Sequence, residues 1–123
     1  MNIALWIVQA ILALAFGMAG FMKLTQPKEK LAERMGWVND FSSNIVRAIG
    51  LVEVLGALGL ILPALTGILP FLTPLAGAGL VLDMLGAAAT HVRRKEYPFI
   101  TANLVLLVLA AFVAYGRFVI API

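Results

Sequence analysis

Four stretches of about twenty mainly apolar residues, separated by three short breaks, constrain this chain more than any other feature of its sequence. A helix needs about 20 such residues to cross the hydrocarbon core of a bilayer. Hydrophobic residues make up 63% of the 123 residues and charged residues 12%, a balance that a soluble domain of this size has no interior to hide. The pattern predicts an all-α fold: a single integral membrane domain, a four-helix bundle.

The spans are predicted at about residues 2–22, 45–63, 74–92 and 99–119. The first could pass for a signal peptide, but it lacks a basic leading region and is too long, so it is read as a retained helix. Between the first two spans lies the one long polar segment. Within it Pro27 suits a helix start, and Leu31, Met35 and Val38 recur at helical spacing opposite Lys28, Lys30, Glu33 and Arg34. The segment at about 27–38 is therefore expected to form a short amphipathic helix on the cytoplasmic membrane surface, with Trp37 at headgroup depth. Asp40, Ser42 or Ser43 can cap the second span.

Cations set the expected orientation. Lys23, Lys28, Lys30, Arg34 and Arg47 lie around the first break and Arg93, Arg94 and Lys95 at the third, whereas the second break has none and only Arg117 lies on the opposite side. The positive-inside rule then puts the first and third breaks in the cytoplasm and both termini outside, in a cell (inner) membrane. Short connections imply an up-down-up-down order. The net charge of +3 is thus accounted for by a membrane surface and not by nucleic acid. Small residues suited to close helix contact are Gly50, Gly56, Ala57 and Gly59 in the second span, and Ala76, Gly79, Gly86, Ala87 and Thr90 in the third.

Charge near the bilayer centre costs about 2.5 to 3.5 kcal/mol per residue on insertion scales, so an acid there needs a partner or a task. Glu53 and Asp83 fall near the middle of the second and third spans, at matched depth. On a helical projection Asp83 shares the small-residue face of its span, and Glu53 lies within about 60° of Gly50, Gly56 and Ala57. Both are expected to point inward. Two ionised carboxylates close together in a low dielectric repel, which predicts a shared or switchable proton unless a cation neutralises the pair. Lys23, Arg47, His91 and Asn103 lie in the same half of the membrane, whereas Gln9 is the one polar side chain deep in the other half of the first span. The asymmetry predicts a pocket opening on the cytoplasmic leaflet, with apolar packing on the far side. Glu53 paired with Lys23 or Arg47 could equally pin helices together without chemistry. Glu53, Asp83 and His91 have no spacing that recommends a metal site. With no cysteine in the chain, disulfides and thiol chemistry are excluded.

Several short motifs recur in order: Gly20 with Lys23-Leu24, the run Arg47-Ala48-Ile49-Gly50-Leu51-Val52-Glu53-Val54-Leu55-Gly56-Ala57 followed by Leu60 and Pro63, and Met84-Leu85-Gly86-Ala87 leading to His91. In these the chain resembles the DoxX-like family of small bacterial membrane proteins. The resemblance implies a four-helix membrane bundle, with Lys23, Glu53 and His91 at the family's characteristic polar positions and Asp83 just before its methionine motif. It also implies links to the membrane subunit of a thiosulfate:quinone oxidoreductase, to resistance against quinones and oxidative stress, and, in animal relatives, to receptor assembly.

The combined expectation is an accessory subunit binding a quinone or a similar small apolar ligand, with Glu53, Asp83 and His91 facing it and Lys23, Arg47 and Asn103 nearby. A bound quinone is the one cofactor this reading includes. No intrinsic redox motif is present, so a membrane or cytoplasmic redox partner is implied, and a homo-oligomer is compatible. The competing expectations are a proton-coupled transporter of small molecules and an assembly factor for other membrane proteins.

Overall fold

The computed structural model describes residues 1–33 and 35–122. Helix α1 spans Asn2–Thr25, α2 Lys28–Ala32, α3 Ser43–Thr66, α4 Leu72–Arg93 and α5 Tyr97–Tyr115. A 3-10 turn occupies Gly36–Asp40, and a π turn over Gly116–Ile120 prolongs α5. The described residues contain no strand.

Four helices are long and apolar enough to cross a membrane, yet only 28% of the most apolar window in each of the first three is buried, and 17% in the fourth. Ile3, Leu14, Met18, Leu82 and Val108 are among the large apolar side chains left exposed. Apolar area costs about 25 cal/mol per Å² in water, so only lipid accommodates such a surface. The chain is an integral membrane protein.

The core between the helices is formed by Leu12 and Phe16 of α1, Ala57 and Leu60 of α3, Leu80 and Met84 of α4, and Ala110 and Val113 of α5. Glycines set the closest approaches. A Cβ on Gly20 would lie 2.6 Å from the Gly50 carbonyl oxygen, and one on Gly59 would lie 2.8 Å from Ala76 Cβ. At the α4–α5 contact the close glycine is Gly77, 3.1 Å from Ala110 O by the same measure. Gly79 and Gly86, expected to serve helix contact, have no atom within 4 Å of an added Cβ. Their face of α4 is not the one packed against neighbouring helices, whose buried residues are Thr73, Pro74, Gly77, Leu80 and Met84.

Helix α3 continues past Pro63, where the sequence suggests a stop. Proline supplies no N–H to the carbonyl four residues earlier, that of Gly59. Thr73 Oγ1 from α4 donates to that carbonyl at 2.9 Å, so the helix loses no hydrogen bond and ends at Gly67, whose φ of 72° is left-handed. At the other end the Ser42 hydroxyl accepts from Ile45 N–H.

The polar segment differs most from expectation. Instead of one helix it forms the five-residue α2, then the 3-10 turn, and Arg34, counted above on its polar face, lies outside the described residues. Leu31 and Val38 are buried with Val46, and Met22, Met35, Trp37 and Phe41 pack around them. These side chains find protein to bury against, so the segment folds back as a strap across one end of the bundle. Trp37, expected at headgroup depth, is half-buried and meets Phe41 edge-on at 5.8 Å.

Candidate functional site

Beneath the strap the helices splay around a cavity of about 660 Å³, within the range of small-molecule pockets. Small residues make the space: Gly86, Ala87 and Thr90 line it from α4, where larger side chains would fill it. Met84, Ile49, Leu82, Phe99 and the strap residues Met35, Trp37 and Phe41 supply apolar wall.

The structure brings Lys23, Glu53, Asp83, His91 and Asn103 to this one cavity. Arg47 stands apart, exposed near the start of α3 and outside the cavity lining. The position of Glu53 follows from the Gly20–Gly50 crossing, which brings α1 against α3 so that Lys23 Nζ reaches Glu53 Oε1 at 2.5 Å. Both residues are buried, and the ammonium also lies 5.3 Å from the centre of the Trp37 ring. Of the pairings open to Glu53 in the sequence, the structure contains the one with Lys23.

Asp83 comes from α4 without a cation of its own: no described side chain forms an ion pair with it, and its Oδ2 is buried without a partner. Asn103, on α5, donates its Nδ2 to Met84 Sδ at 3.5 Å and leaves Oδ1 buried and unpartnered. An unpartnered buried polar group costs about 1–3 kcal/mol, so two in one cavity mark a place where the protein alone is incomplete.

At the mouth, His91 Nδ1 lies 3.1 Å from Glu96 Oε1, and its ring stacks on Phe99 at 5.3 Å. The same Glu96 oxygen accepts from Arg94 Nε, and Arg94 Nη1 donates to Asp40 Oδ1 of the strap at 2.9 Å. Arg93 reaches Asp40 Oδ2 at 3.7 Å. Asp40 and Glu96 hold the Arg94 guanidinium above its ordinary pKa, the Asp40 hydrogen bond first among the causes. The strap is thus tied by charge to the α4–α5 connection. The sequence shows these charges but not their pairing, because Asp40 and Arg94 are 54 positions apart.

The opposite end holds a polar cluster that sequence reasoning missed. Arg117, expected on the surface, is only 3% exposed: the π turn carries it back into the bundle, where Nε donates to Gln9 Oε1 and Nη1 to Asn2 Oδ1, both at 2.7 Å. Gln9 in turn donates to Leu60 O at 2.6 Å. The far half is therefore not closed by apolar packing alone. The available signal was an arginine at the end of an apolar run, in the half of the membrane that holds Gln9.

A profile of the DoxX-like family matches residues 7–113. The chain belongs to the DoxX-like family. Every residue that lines the cavity of this DoxX-like protein falls within the matched span, whereas Asn2 and Arg117 lie outside it. No curated protein and no solved structure matches the chain.

Proposed function

We propose that this DoxX-like protein is a membrane binding protein that holds a small, largely apolar molecule, a quinone or one of similar bulk, in the cavity beneath the strap. The observation that carries this reading is the cavity itself: about 660 Å³, walled by apolar and aromatic side chains, with Asp83 Oδ2 and Asn103 Oδ1 buried in it without partners among the described residues. A few polar groups converging in an otherwise apolar space are what orients a small ligand. The cations at the strap end, Lys28, Lys30, Arg47 and Lys95 among them, support a cytoplasmic position for the cavity mouth in the inner membrane. Where the ligand is a quinone, electrons come from a partner protein and the chain acts as an accessory subunit.

The test uses the full chain in lipid nanodiscs with Trp6→Phe, leaving Trp37 as the fluorescent reporter in the cavity wall. A short-chain quinone is expected to quench Trp37 saturably. Gly86→Leu, which projects into open space, fills the cavity and is expected to weaken binding about tenfold or more. Quenching that rises linearly with quinone, and equally in Gly86→Leu, would show partition into lipid and rule out a quinone as the occupant.

A further inference from the structure

We infer that the molecule held in the cavity carries a protonated amine, seated against Asp83. This rests on the ligand-binding reading above and narrows it to one class of head group, an organic ammonium on an apolar, ring-bearing body.

The ion pairs around the cavity leave Asp83 out. Lys23 is bonded to Glu53, and Arg93 and Arg94 are held by Asp40, with Glu96 accepting from Arg94 and facing His91. Asp83 is left in a membrane-embedded cavity without an ion-pair partner among the described residues, its Oδ2 buried and unbonded, while the Lys23 ammonium in the same cavity is bonded to Glu53. A carboxylate in such surroundings calls for a positive charge.

The second unpartnered atom points the same way. Asn103 is 9% exposed, and its free Oδ1 accepts hydrogen bonds only. Three donors that line the cavity are spent on protein groups: Lys23 Nζ on Glu53, Thr90 Oγ1 on Gly86 O, and Asn103 Nδ2 on Met84 Sδ. A neutral carbonyl compound brings further acceptors to a cavity whose unpartnered atoms already accept. An ammonium brings two or three donors together with the missing charge. A proton placed between Asp83 and Glu53 would balance the charge but leave Asn103 Oδ1 unpartnered.

The wall suits a cation as well. Trp37, Phe41 and Phe99 line the space, and aromatic faces attract cations within about 6 Å. Lys23 already sits at such a distance from Trp37.

The experiment compares 2-naphthylmethylamine with its neutral counterpart 2-naphthylmethanol, and with a short-chain quinone, by equilibrium dialysis against the full chain in nanodiscs, with empty nanodiscs subtracted. The amine is expected to bind saturably and about tenfold or more tighter than the alcohol. In Asp83→Asn that preference disappears through loss of amine affinity; Asn103→Leu weakens the amine and keeps the preference. An alcohol or quinone bound as tightly as the amine by the unmodified chain overturns the inference and leaves the ligand-binding reading standing. So does an amine preference that persists in Asp83→Asn. If none of the three binds saturably, both readings fall. The comparison on the unmodified chain decides even where a variant does not fold.

Discussion

Lys23 and Glu53 each stand three residues beyond a glycine of the same crossing, Gly20 in α1 and Gly50 in α3, and their side chains meet at 2.5 Å. The backbone contact places the ion pair, so the geometry of the cavity depends on two residues that have no side chain. A Cβ on Gly20 would fall 2.6 Å from Gly50 O, and one on Gly50 2.7 Å from Gly20 O. Gly20→Ala and Gly50→Ala are therefore expected to destabilise the protein by about 1–3 kcal/mol, as overpacking does. Thermal melting in detergent measures this, with Gly79→Ala, which meets no atom within 4 Å and gains helix propensity, as the variant that does not lower the midpoint.

Removing one member of the buried pair should cost more than removing both. Lys23→Met leaves Glu53, 2% exposed, without its cation, and about 3–5 kcal/mol of stability is expected to be lost. The double variant Lys23→Met, Glu53→Leu should recover most of that loss. Unfolding midpoints of the single and double variants give the comparison; equal losses would mean that the pair is not coupled.

Pro63 and Thr73 form a complementary set within one hydrogen bond. Thr73→Val strips the Gly59 carbonyl of its donor while keeping the shape of the side chain, and is expected to cost about 1–2 kcal/mol. Pro63→Ala restores an N–H to the same carbonyl, so the loss on Thr73→Val should be smaller in that background. A double-mutant cycle on melting temperature reads the difference.

At the far end Arg117 and Gln9 are expected to behave as a unit. Gln9→Leu takes a partner from a guanidinium whose Nη2 has none among the described residues, and also frees Leu60 O. Its expected cost is about 1–3 kcal/mol, with non-additive effects in Gln9→Leu, Arg117→Leu. Additive effects in the same melting assay would separate the two residues.

Much of the fold was legible because hydropathy belongs to each segment by itself. All four spans were readable from runs of Leu, Ile, Val and Ala, and the ends missed by a few residues have local chemical reasons. At Pro63 the donor that lets the helix continue comes from Thr73, ten residues further on, and no pattern within α3 announces it. The strap was misjudged because its apolar spacing shows that Leu31 and Val38 seek burial but not what they bury against.

The sequence alone determined that these segments need lipid as their solvent and that Glu53 and Asp83 are costly enough there to require an explanation. Both are properties of a side chain and its depth in an apolar run. Only the tertiary structure decided which cation Glu53 receives, that no cation among the described residues pairs with Asp83, that Arg47 stays outside and that Arg117 turns in. Those outcomes depend on how the helices rotate about their axes and how closely their glycines let them approach, joining residues 30 and 108 positions apart that no local periodicity connects.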